Sequence, residues 1–217
     1  MVSQLENIAK PEIIYPETDG KPMADNTLQF RWITTIKINL DWLFAKNDQV
    51  FVAGDLLWYP VEGDNKKRQA PDVMVIFGRT KDERGSYQQW KEENIAPQVV
   101  FEILSPGNTQ KEMSRKLLFY ERYGVEEYYI YDPDKNDLTG LLRGDEGLDT
   151  IEDMKGWISP RLNIRFELAQ PELLLYHPNG EGFSTYTEER EKAIKERQRA
   201  DKLAAKLQEL GINLDEL

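Results

Sequence analysis

The chain has no cysteine and a single histidine, His177, among its 217 residues. Without cysteine there can be no disulfide and no thiolate metal site. One histidine leaves no material for a histidine-rich zinc site or a Ser-His-Asp triad. A P-loop and a dinucleotide fingerprint are also missing, so nucleotide-driven chemistry has no support. No apolar run approaches the ~18 residues that suggest a membrane-spanning helix. The N-terminus shows no charged segment leading into an apolar one. These absences predict a soluble cytoplasmic protein that does not engage a membrane. Positive charge is scarce too, with 28 Lys and Arg against 39 Asp and Glu, a net charge of −11. That balance counts against tight non-specific binding to nucleic acid, which draws much of its affinity from neutralising phosphates. It leaves room for an enzyme in which a metal and a local basic cluster hold the phosphate.

What is present is enough apolar material, 40% of the residues with five Trp, for one well-buried α/β domain and a small appendage. The organising stretch runs from Ala70 to Pro133. It holds two short apolar runs rich in β-branched residues, Val73 to Phe77 and Val99 to Leu104, bounded by Pro and Gly as buried strands are. One carboxylate stands near an end of each, Asp72 just before the first run and Glu102 within the second. A buried strand has no structural use for an unpaired charge. Two carboxylates on neighbouring strands suggest a site for a hard divalent cation, which takes oxygen ligands. After the breaker Ser105-Pro106-Gly107-Asn108, a helix capped by Asn108 or Thr109 is expected to run to Tyr123, with Gly124 ending it. Glu112, Lys116 and Tyr120 fall on one face of that helix at i, i+4 and i+8.

Pro71-Asp72, Glu102 thirty residues later, Ser105-Pro106, the helix with Lys116 and Tyr120, and Gly124-Val125-Glu126-Glu127-Tyr128 together resemble the Uma2-type branch of the PD-(D/E)XK nuclease superfamily, over roughly residues 20 to 180. The resemblance implies a restriction-endonuclease-like α/β (α+β) fold, a mixed central sheet flanked by helices. It implies a metal-dependent endonuclease acting on phosphodiester bonds of nucleic acid, with DNA as the expected substrate and a homodimer as a possible working form. On this pattern Asp72, Glu102 and the backbone carbonyl of Ile103 would hold Mg2+ or Mn2+. Lys116 would be the third catalytic residue, and Tyr120 and Glu112 would hold that lysine in place. The superfamily's usual lysine lies two residues after the strand Glu, where this chain has Leu104. In the Uma2-type branch the lysine sits on the next helix, and Lys116 matches that placement.

Elsewhere the reading is structural. Residues 1–25 form an arm, and Asp25 or Asn26 caps a helix to about Lys46 with Trp32, Ile33, Ile36, Leu40, Leu43 and Phe44 on one face. Gln49 to Ala53 and Asp55 to Pro60 read as strands around a Gly54-Asp55 turn, with Asp55 a reserve acidic ligand. Lys66, Lys67 and Arg68 form the candidate phosphate-binding cluster. The polar excursion from Gly78 to Pro97 carries Arg79, Arg84, Tyr87 and Trp90, either for stacking or packed on the domain. Glu127 to Tyr131 and Leu138 to Arg143 form a hairpin, with Glu126 and Glu127 facing solvent, and His177 reads as a loop residue. The domain would span 26–186. Residues 187–217 form a charged helical tail in which Ala193, Ala200, Leu203, Leu207 and Leu210 make a weak heptad seam. The rival function is a catalytically silent binding or assembly protein on the same fold, favoured by the acidity, Leu104 and the tail.

Overall fold

A computed structural model of the chain describes residues 13–20 and 22–209. Helix α1 (Thr27–Leu43) starts where the Asn26 side chain accepts the Gln29 N–H, and it buries Trp32, Ile33, Ile36 and Leu40 on one face. The expected extension to Lys46 is a turn instead. Six strands follow in one sheet: β1 (Val50–Gly54), β3 (Val73–Phe77), β5 (Val99–Ile103), β6 (Glu127–Asp132), β7 (Asp137–Gly144) and β8 (Gly147–Thr150), side by side in that order. All neighbours are antiparallel except β5 and β6, which run parallel. Parallel strands need a crossover, and helix α2 (Gln110–Arg122) supplies it, capped by the Thr109 side chain. The mixed α/β sheet flanked by helices is therefore the one expected from the sequence.

Alternation along the strands divides the core in two. Val73, Val75, Val99 and Phe101 pack with α1 and with the hairpin of β9 (Arg165–Leu168) and β10 (Leu173–Tyr176). Met74, Ile76 and Val100 pack on the other face with Tyr120 of α2, Trp58 and Tyr128. Helix α3 (Tyr186–Glu209) follows and buries none of its residues. The tail seam's Leu210 lies outside the described residues, as do residues 1–12 of the arm.

Three expectations need correction. The stretch from Asp55 to Pro60 is not a full strand; only β2 (Trp58–Tyr59) pairs, in parallel with β4 (Tyr87–Gln88). Asp55 takes a left-handed turn (φ 48°), which ends β1 and redirects the chain. Glu127 does not face solvent. It is 1% exposed, and it accepts hydrogen bonds from Tyr129 Oη (2.9 Å), the Ser159 hydroxyl and the Arg161 N–H (2.6 Å). Glu126, beside it, does stay at the surface side and pairs with Arg161. His177 does lie in the loop after β10, but as a buried residue and not an ordinary surface one: it is hydrogen-bonded through Nε2 to Asn39 (3.1 Å), between the rings of Trp42 and Phe183.

The excursion from Gly78 to Pro97 is tied down. A 3-10 turn (Gln89–Lys91) sets Trp90 against Tyr15, with ring centroids 4.8 Å apart. Arg79 and Arg84 are held by Glu92, and Arg79 also by Glu93. Those guanidinium groups are spent on the loop itself.

Glu127 ties β6 to the segment before β9, so Glu127→Ala leaves three donors without their acceptor. The expected loss is about 3 kcal/mol, a fall in melting temperature of roughly 6–12 °C. Thermal unfolding followed by circular dichroism checks it; an unchanged melting temperature would mean that the buried carboxylate holds nothing together.

Candidate active site

The site follows from strand register. β3 and β5 are antiparallel with Val73 opposite Phe101, so the next position on each places Asp72 opposite Glu102. Side chains directly opposite in such a pair share a face, here the face that α2 covers. Asp72 is 8% exposed and Glu102 only 2%. Asp72 Oδ2 accepts the backbone N–H of Ile103 at 2.6 Å, which pins the end of β5. Glu102 accepts from Lys116 Nζ on Oε2 (2.6 Å) and from Tyr120 Oη on Oε1 (2.5 Å). Lys116 and Tyr120 lie one turn apart on α2, so both reach the same carboxylate.

Tyr120 therefore acts on Glu102 and not on Lys116, a change from the expected arrangement. Glu112, one turn earlier, lines the cleft beside Lys116. No hydrogen bond or ion pair joins the two among the described residues. The Ile103 carbonyl is where the sequence placed it, but it already accepts Gln29 Nε2 at 2.8 Å. Gln29 is held in turn by the Asp25 N–H on its Oε1 (2.8 Å). The sequence reading missed Gln29. A signal existed, because Gln29, Trp32, Ile33 and Ile36 share one helical stripe, and an amide in an apolar stripe must find a buried partner.

Asp72 and Lys116 open on a cleft of about 370 Å³, lined also by Asp19, Asp25, Asp55 and Gln29, with Glu102 buried behind them. Asp55 reaches it because its left-handed turn directs its N–H to the carbonyls of Pro71 and Asp72 (both 3.2 Å). Ser105 holds Asp25 of the lining, donating to its Oδ2 at 2.5 Å. Among the described residues Lys116 is the one cation in the lining. Lys66 and Arg68 line an adjoining hollow that shares Gln69, Ala70 and Asp19 with the cleft. Lys67 turns away to Asp64 (3.2 Å). Among the described residues no three His, Cys, Asp or Glu side chains group as a metal site; the carboxylate pair stands by itself.

Burial dominates the electrostatics. It pushes the Asp72 carboxyl well above the usual carboxylate range, and neighbouring Glu102 adds to this, while Lys116 and the Ile103 N–H pull the other way. Burial raises Glu102 as well, opposed by Lys116 and Tyr120. For Lys116 burial works to discharge the ammonium, but Glu102 and Asp72 outweigh it and the pKa stays above the ordinary lysine value. Burial raises the Tyr120 phenol well above its usual value, reinforced by Glu102, so the hydroxyl remains a donor. Asp55 is raised by burial and by Asp19. One ammonium is thus shared between two buried acids.

No curated protein matches the chain. A solved structure described as a putative nuclease belonging to DUF820, from Anabaena variabilis ATCC 29413, is similar at 17% identity and a TM-score of 0.47, covering 66% of this chain and 79% of the other. The sequence pattern of the family described as "Uma2: Putative restriction endonuclease" matches residues 20–162, which include Asp72, Glu102, Lys116 and Tyr120. The chain belongs to the Uma2 family.

Proposed function

We propose that the chain is a metal-dependent endonuclease that hydrolyses phosphodiester bonds of nucleic acid, with DNA as its substrate. The observation that carries this reading is the buried pair Asp72 and Glu102, set opposite each other, with Asp72 and the single ammonium Lys116, bound to Glu102, lining an open cleft. The pair fits a hard divalent ion. Asp72 spends one oxygen on the Ile103 N–H, and no other hydrogen bond reaches it among the described residues. Its charge is opposed by burial and by Glu102, and a bound cation would relieve both penalties. Asp72 and Glu102 would hold Mg2+ or Mn2+, with the Ile103 carbonyl contributing its second lone pair beside Gln29. When bound, such an ion polarises a phosphate oxygen and lowers the pKa of an attacking water.

The chain's own groups divide the remaining work. Lys116 keeps its proton at neutral pH, so it acts as a cation and hydrogen-bond donor to phosphoryl oxygen, not as a general base. Tyr120 holds Glu102 in place through the phenol proton. Lys66 and Arg68, in the adjoining hollow, supply charge for a phosphate beyond the cut bond.

A second reading has one observation in its favour. Both oxygens of Glu102 are already taken, by Lys116 and Tyr120, as in a closed polar network of a silent scaffold. Nicking of supercoiled plasmid in Mn2+ separates the two. The native chain nicks, and Asp72→Asn, which keeps an oxygen for the Ile103 N–H, does not. Absence of nicking by both, with cation binding also absent, would favour the scaffold.

Two further outcomes follow. Lys116→Gln lowers the nicking rate about 10²- to 10³-fold while leaving Mn2+ dependence in place; a rate near that of the native chain would remove Lys116 from the chemistry. The raised Asp72 pKa has a defined sign for stability. Its stabilising contribution is complete below the ordinary aspartate pKa and is lost as pH rises through the folded value. Asp72→Asn therefore melts above the native metal-free chain at pH 7 and above, with the difference shrinking as pH falls toward the ordinary aspartate pKa. Mg2+ raises the melting temperature of the native chain and not of the variant. A variant that melts below the native chain at pH 7 would contradict this sign.

A further inference from the structure

Helix α3 carries seven Lys and Arg (190, 192, 195, 197, 199, 202 and 206) against six Asp and Glu, a net charge of +1. With the whole chain at −11, the remaining residues carry −12. The positive charge on α3 is not scattered. Lys195, Arg199, Lys202 and Lys206 follow one another at spacings of four, three and four, which at 3.6 residues per turn places them within an arc of about 60°. All four are exposed, and no acid among the described residues lies within ion-pair distance of any of them. The ion pairs at this helix instead involve Lys192, with Glu181 and Glu189. A surface helix of mixed charge ordinarily pairs its cations with acids three or four residues away. This one leaves a basic stripe unpaired.

We propose that this stripe grips the phosphate backbone of a nucleic-acid duplex, supplying the positive surface that the acidic body lacks. The proposal rests on the reading of the chain as a nuclease and assigns it a substrate-holding surface outside the cleft. Charge complementarity argues for the occupant. The four cations span about 16 Å of helix axis, along which a duplex presents roughly five phosphates per strand. The cleft itself is lined by Asp19, Asp25, Asp55, Asp72 and Glu112 with Lys116 as the cation among the described residues, so it repels a polyanion except at the reacting phosphate. Beyond Lys66 and Arg68 in the adjoining hollow, an enzyme built this way needs further counter-charge elsewhere, and α3 carries four such unpaired cations along one stripe.

The test is binding of a fluorescein-labelled random-sequence DNA duplex, followed by anisotropy in EDTA across a salt series, with three full-length proteins. They are the native chain, Lys195→Gln/Arg199→Gln/Lys202→Gln/Lys206→Gln, and a control with the same charge loss, Lys46→Gln/Lys91→Gln/Lys135→Gln/Lys155→Gln. Glutamine keeps helix propensity near that of lysine and arginine, and circular dichroism verifies that α3 survives. The stripe variant is expected to bind at least tenfold more weakly at about 0.1 M salt. Its log–log salt slope should be smaller by about 3–4, near one per lost phosphate contact. The control should match the native chain. Equal binding by the stripe variant, equal loss in the control, or no duplex binding by the native chain would each overturn the proposal. A native dimer that becomes a monomer in the stripe variant, with duplex affinity unchanged, would assign the stripe to a second copy's acidic body and overturn it as well. Plasmid nicking by the same native preparation separates the two readings. Nicking with no stripe effect sinks the stripe alone, and a stripe effect without nicking sinks the nuclease alone.

Discussion

Two buried acids facing each other across an antiparallel strand pair are the constraint on which the rest of this molecule turns. Like charges in that position cost free energy that packing cannot return. Burial and mutual repulsion both favour protonation of Asp72. The fold answers with one ammonium and one phenol, both delivered by α2 to Glu102. It offers Asp72 the single N–H of Ile103. An arrangement that leaves one acid so poorly compensated is poor as pure architecture. On the function proposed above, it would be the place that a cation fills.

The topology exists to deliver these groups together. Only the β5–β6 pair is parallel, and its crossover is α2, so the one helix that must pass over this face of the sheet brings Lys116 and Tyr120 above Glu102. From the opposite face α1 reaches round the end of β5 through Gln29, fixing the carbonyl that follows Glu102. The left-handed turn at Asp55 adds a further acid to the rim while its N–H ties β1 to the start of β3. The contacts of Ile103, Gln29 and Asp55 fall where strands end, and those of Lys116 and Tyr120 join the body of α2 to β5.

Much of this was legible in the amino-acid order. The strands from Val73 and Val99 and the helix starts at Asn26 and Thr109, each one of two caps expected, come from local pattern: apolar runs, breakers and helix-start residues. That Asp72 faces Glu102 comes from the pairing of β3 with β5. What stayed hidden was set by partners far along the chain. Glu127 looks like a surface acid until Ser159, thirty-two residues on, meets it inside. His177 is placed by Asn39, 138 residues away, and Gln29 by a carbonyl 74 residues away. Tyr120 was placed on the correct helix face, but the group it holds is Glu102 and not Lys116. Asp55 to Pro60 misled because an apolar run reads as a strand even when a left-handed residue at its start leaves only two residues to pair. Periodicity reports which face is buried, and it is silent on which distant polar group waits there.

The central claim is that Asp72 and Glu102 are arranged to hold a divalent cation. Binding of Mn2+, read from the electron paramagnetic resonance signal of the free ion during titration of the native chain and of Asp72→Asn, tests it most directly. The account predicts one site of millimolar or better affinity in the native chain and its loss in the variant. No such site in the native chain, or one that survives in Asp72→Asn, would contradict it.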